Sequence, residues 1–126
     1  MSYVYEGAEE LAGQDTVGTK QCVALIKEYA KAPPSSLWRQ GATVKGNLTL
    51  RKGTAIATFV EGQYQNNASG NHAALYVGQG ADGIYVVDQW KGSKKVMQRT
   101  LSFLGKDKAG HFIRPSNNGD AFSVIE

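Results

Sequence analysis

The chain carries one cysteine and two histidines among its 126 residues. Cys22 sits in Gly18-Thr19-Lys20-Gln21-Cys22-Val23-Ala24-Leu25-Ile26, at the predicted first turn of a helix. The helix start carries partial positive charge and favours thiolate over thiol, which makes a cysteine there a candidate nucleophile. Such a nucleophile needs a base to take its proton and a third polar group to fix the base's orientation. About fifty residues on, His72 opens an apolar run, and Asp88 closes the next one. The order Cys, His, Asp therefore supplies one residue of each type that a cysteine-based acyl transfer uses. Taken singly, each has an ordinary structural reading: free cysteines are often buried hydrophobes, a strand-end histidine can simply bond to a loop, and an aspartate can cap a turn. Their joint placement favours chemistry.

The elements that must bring these residues together are legible as pattern. Thr19 is placed to cap a helix over residues 19–32, with Cys22 at about its third position. Cys22, Leu25, Ile26 and Tyr29 form one apolar face, and Pro33-Pro34 ends the helix. Residues 1–18 read as an extended arm and loop with Tyr3, Tyr5 and Leu11 facing the core, and 35–50 as a loop anchored by Leu37, Trp38 and Val44. Thr54 to Val60 is a strand bounded by glycines. His72 to Val77 and Ile84 to Trp90 form a β-hairpin around a Gly-rich turn. Further strands are expected over 95–101 and 111–114, with the last residues a short edge strand or a frayed end. One helix followed by a run of strands predicts an α+β fold with the helix on an antiparallel sheet.

A hairpin turning about Gly80 sets Tyr76 opposite Ile84, Ala74 opposite Val86 and His72 opposite Asp88. Opposed residues share a face, with Cβ atoms about 4.5–5.5 Å apart. His72 and Asp88 then meet at the hairpin's open end. The same parity offers Ala74, Tyr76, Ile84 and Val86 as the face on which the helix packs. Leu75, Val77, Tyr85 and Val87 make the other face apolar too, so the hairpin belongs in the middle of the sheet. A slip of one residue would separate His72 from Asp88.

Composition narrows the function classes. The formal net charge is +3, with 41% hydrophobic and 20% charged residues, an ordinary globular balance for one domain over 1–126. The charge is too diffuse to argue for nucleic acid. No apolar run approaches the roughly 20 residues of a membrane span. No signal-peptide pattern opens the chain, so export would use a route that ignores one. No cofactor is expected. A zinc site from Cys22, His72 and Asp88 lacks any second ligand at a short motif spacing. His111 is the rival base, without an acidic partner at a matching position.

Two stretches also resemble a family. Gly18-Thr19-Lys20-Gln21-Cys22-Val23-Ala24-Leu25 is similar to the helix start of CHAP amidases, and Asn71-His72-Ala73-Ala74-Leu75-Tyr76 to the histidine strand of NlpC/P60 and CHAP peptidases. The size resembles the small amidase effectors of type VI secretion systems in this papain-like group. The resemblance spans roughly residues 15–115. It implies a helix on a four- to six-stranded antiparallel sheet and hydrolysis of amide bonds in peptidoglycan stem peptides. Cys22 matches the family's nucleophile, His72 its general base, and Asp88 its third position, with Gln89 a weaker candidate there. Asn71 stands where many relatives have Gly. Neither Gln21 nor Gln14 has the spacing of papain's oxyanion glutamine. That leaves the Cys22 backbone N–H plus a second donor not identified from the sequence. The resemblance further implies peptidoglycan peptide as partner, with a cognate immunity protein as a candidate second, and action in the periplasm of a target bacterium after synthesis in the cytoplasm. A thiol-dependent acyltransferase and a cell-wall-binding module, with Trp38 and Trp90 as platforms, are the alternative readings.

Overall fold

The computed structural model describes residues 2–126; Met1, the first residue of the predicted arm, lies outside them. One α-helix, α1 (Cys22–Tyr29), accompanies six strands: β1 (Gln40–Thr43), β2 (Ala55–Thr58), β3 (Ala73–Gln79), β4 (Gly83–Asp88), β5 (Met97–Ser102) and β6 (Phe122–Ile125). The strands form one antiparallel sheet in the order β1-β6-β2-β3-β4-β5. This is the expected α+β architecture, at the upper end of the expected strand number. The hairpin β3–β4 lies inside the sheet, as its two apolar faces require.

The hairpin register differs from the one expected. Tyr76 pairs with Val86 and Leu75 with Val87, and a bulge between Tyr76 and Gly78 moves the partners of Gly78 and Gln79 to Tyr85 and Ile84. Below the bulge the slip is two residues, so every side chain keeps its face; a slip of one would have exchanged them. His72 and Asp88 thus remain on one face, as diagonal rather than directly opposed neighbours.

The helix packs on the opposite face from the one expected. Leu25 and Ile26 are fully buried against Ala55, Ala57, Ala73, Leu75 and Val87, joined by Tyr3, Tyr5 and Leu11 from the N-terminal segment. Ala74, Tyr76, Ile84 and Val86 instead face Val44, Ile56, Leu101 and Phe122, with Leu50, Phe103 and Phe112 at the margin. Alternation placed the residues on two faces correctly; it carried no information about which face the helix would cover.

Four further elements differ from expectation. The helix begins at Cys22 with Gln21 as N-cap and no side-chain cap, so Thr19 does not cap it and Cys22 is its first residue. At its far end Lys31 adopts a left-handed φ of 60° before the two prolines. Residues 111–114 form an isolated bridge, Lys106 with Phe112, rather than a strand; Arg114 is left-handed (φ 44°) and leads into Pro115. The C-terminal segment is the fully buried β6, inside the sheet between β1 and β2, and β1 lies within the stretch expected to be loop. Among the described residues no helix is long and apolar enough to cross a membrane.

Candidate active site

The site lies at the end of the sheet where β3 begins. His72 is the residue before β3, and its backbone is fixed on Thr58 of β2: Thr58 N–H donates to the His72 carbonyl at 3.0 Å, and His72 N–H to Thr58 Oγ1 at 3.0 Å. Because the strand has not yet formed there, the ring can reach α1's first residue, although α1 covers the other face. Behind it the chain turns through Gly18 (φ +58°) and Lys20 (φ 71°) into the helix. A Cβ on Gly18 would also stand 3.0 Å from Cβ of Ala24.

The imidazole is 5% exposed and bridges two partners. Nε2 lies 2.6 Å from Asp88 Oδ2. On the other side the ring is coupled to the Cys22 thiol by hydrogen bonding and charge; with Nε2 engaged by Asp88, Nδ1 is the nitrogen left to exchange the thiol proton. Cys22 also meets Tyr64 Oη at 3.5 Å and the backbone N–H of Ala73. Asp88 is fully buried. The structure therefore brings Cys22, His72 and Asp88 together, with His72 between the thiol and the carboxylate.

The electrostatics follow from those contacts. Burial pushes the Cys22 thiol up, but the hydrogen bond and charge of His72, with help from Tyr64 and the Ala73 amide, bring it below its ordinary value. Burial pulls His72 down, yet the hydrogen bonds to Asp88 and Cys22 and their charges raise it to about 9. A lowered thiol beside a raised imidazole is the condition for a thiolate–imidazolium pair at neutral pH. Burial, followed by the thiolate's charge, raises Tyr64 well above the ordinary phenol value and keeps it a proton donor.

The remaining sequence candidates take other positions. Gln89 is fully buried and faces the N-terminal loop: its Oε1 accepts from Val17 N–H at 2.9 Å, and its Nε2 donates to the carbonyls of Val17 (3.1 Å) and Gln21 (2.8 Å). It ties down the approach to α1 rather than touching His72. His111 is 82% exposed, with Asp107 4.0 Å away. Trp38 is buried under Tyr64, ring centroids 4.9 Å apart, so it is no exposed platform.

Two neighbours, Tyr64 and Arg99, escaped the sequence reading. Tyr64 lies between β2 and β3, outside every predicted element. Arg99 on β5 forks onto Asp88, and Trp90 stacks on Arg99 with the guanidinium 4.5 Å from the ring centroid. The signal for Arg99 was present: it pairs with Val86, so it shares a face with Asp88 two residues along β4, but the register of β5 could not be read. A groove of about 610 Å³ opens over Cys22, lined by Tyr64, Asn66, Asn67, Asn71 and Trp90 among others. Asn71 closes the loop it ends, accepting from Asn67 N–H at 2.5 Å and donating to the Asn67 carbonyl at 3.2 Å. Among the described residues no three His, Cys, Asp or Glu side chains group as a metal site would require; the carboxylate faces a guanidinium instead.

The family model for domesticated amidase effector 2 matches residues 3–125. A type VI secretion amidase effector 2 protein of Salmonella typhi is 44% identical over the full length of both chains. A domesticated amidase effector 2 of Ixodes scapularis is 37% identical over 87% of this chain and 73% of its own. A solved structure titled type 6 secretion amidase effector 2 (Tae2) superposes with a TM-score of 0.90 at 44% identity, covering 98% of this chain and 94% of that one. The chain belongs to the domesticated amidase effector 2 family.

Proposed function

We propose that the chain is a cysteine amidase that hydrolyses amide bonds in the peptide stems of peptidoglycan, and that it acts as a type VI secretion effector in the periplasm of a target bacterium. The observation that carries this reading is the buried His72, held at 2.6 Å on Asp88 and coupled to the Cys22 thiol, on the fold of an amidase effector family. The relatives' names, amidase effectors of type VI secretion, support the bond class and the delivery route.

In this mechanism the Cys22 thiolate attacks a stem-peptide carbonyl and forms a tetrahedral oxyanion. The helix's first residue has a backbone N–H with no intrahelical partner, and this N–H stabilises the oxyanion together with the Tyr64 hydroxyl. His72 gives its Nδ1 proton to the leaving amine as the C–N bond breaks, and a thioester remains on Cys22. Neutral His72 then takes a proton from water. The hydroxide equivalent displaces the thiolate, and the stem-peptide acid leaves. Asp88 accepts the His72 Nε2–H throughout, which fixes the ring and stabilises its charged form.

The test is mass spectrometry of purified peptidoglycan digested with wild type and with Cys22→Ala. New stem-peptide termini with wild type and none with the folded variant support the reading. Undiminished digestion by Cys22→Ala would end it.

A further inference from the structure

We infer that Arg99 is a fourth member of the site, a positioning residue that balances the charge of the Cys22–His72–Asp88 chain and locks the Asp88 carboxylate in the plane His72 needs. The inference rests on the cysteine-amidase reading above and extends it by one residue.

The geometry is specific. Arg99 Nε lies 2.9 Å from Asp88 Oδ2 and 3.1 Å from Oδ1, and Nη2 lies 2.8 Å from Oδ2. With His72 Nε2 at 2.6 Å, three donors converge on Oδ2. A carboxylate held at both oxygens by a planar fork cannot rotate away from the imidazole, whereas a lysine's single ammonium would fix only one point. Trp90 keeps the guanidinium in place by stacking on it. Arg99 itself does not reach Cys22: its Nη2 ends 3.5 Å from His72 Nε2 and both nitrogens point at the same oxygen.

Charge explains why the site needs it. Asp88 is fully buried, and an unbalanced buried carboxylate is costly. In the reactive state the groups facing one another are the Cys22 thiolate from α1, the neutral Tyr64 hydroxyl from the loop before β3, the His72 imidazolium, the Asp88 carboxylate from β4 and the Arg99 guanidinium from β5. They sum to zero. Without Arg99 the cluster carries a net negative charge. Every proton in it is then held more tightly, so thiolate is scarcer at neutral pH and the imidazolium yields its proton less readily.

The chain's two histidines make this measurable by imidazole NMR, with exposed His111 as internal control. Arg99→Met should move the His72 inflection to higher pH by on the order of one unit, leave His111 unchanged, and lower kcat at neutral pH by on the order of 10- to 100-fold, by analogy with the loss of a partner that orients a metal-bound histidine. Arg99→Lys keeps the charge but not the fork, so its His72 inflection should match wild type while kcat falls. An Arg99→Met inflection that stays put or moves down would overturn the inference. If Arg99→Met does not fold, wild-type kcat in Arg99→Lys would overturn it. The titration needs no substrate, so the cysteine-amidase reading fails separately, on hydrolysis by Cys22→Ala.

Discussion

At the residue scale the site depends on two opposed shifts. The thiol of Cys22 is lowered despite its burial, and the imidazole of His72 is raised despite its own. A lowered acid keeps its charge as pH falls, and a raised base keeps its charge as pH climbs. The reactive pair therefore persists from below the ordinary thiol range up to about 9, where His72 loses its proton. Activity should rise as Cys22 ionises and decline above about pH 9. His72→Ala should abolish hydrolysis, while His111→Ala, far from any partner in the site, should keep most of it. Asp88→Asn removes the acceptor's charge and leaves the Arg99 fork without a counter-ion. Loss of orientation costs a serine triad ~10⁴-fold; a thiol ionises more easily, so turnover should fall on the order of 10- to 10³-fold, less than for His72→Ala. Steady-state kinetics on peptidoglycan fragments measure all three. Cys22, His72 and Asp88 were legible as candidates because the chain has one cysteine and two histidines and because hairpin parity puts His72 and Asp88 on one face. Tyr64 and Arg99 were not, because Tyr64 lies between the predicted strands and the register of β5 could not be read.

At the element scale the site depends on how α1 is brought to the end of β3. Its N-cap offers no side-chain hydrogen bond. The approach is held instead from the far side of the sheet's end, by three hydrogen bonds from Gln89 to Val17 and Gln21. Sequence reading placed Gln89 beside Asp88 and offered it as a substitute orienter; alternation explains why it is not one, since neighbours along a strand point to opposite sides. Gln89→Leu removes those bonds and leaves the Val17 N–H short of a partner, while the Val17 and Gln21 carbonyls keep the backbone N–H groups of Lys20 and Ala24. At about 1–3 kcal/mol for each buried group left unsatisfied, thermal unfolding should fall by several degrees. Activity should fall further than stability explains, because Cys22 is the residue next to the freed loop. A variant with wild-type turnover and melting temperature would contradict this role for Gln89. The hairpin was legible as two apolar runs flanking a glycine-rich turn. Its bulge was not, and the expected face for the helix was wrong because both faces of this sheet are apolar.

At the scale of the whole molecule the sheet carries two cores, one under α1 and one under the segments that follow β1 and β5. The order of one helix before a run of strands was enough to foresee the architecture. It was not enough to foresee that β6 inserts between β1 and β2, a long-range pairing on which local pattern is silent. What this architecture achieves is a cysteine on one side of the sheet's end and a charged strand-end network on the other, joined by a single imidazole. The rate of Cys22 alkylation against pH, in wild type and His72→Ala, tests that join most directly, and with one cysteine in the chain the signal is unambiguous. Wild type should react with an inflection below the ordinary thiol value of about 8.5. His72→Ala should show an inflection at or above that value, because burial then acts on the thiol without its main counterweight. Superimposable curves, or a wild-type inflection at the ordinary value, would contradict the account.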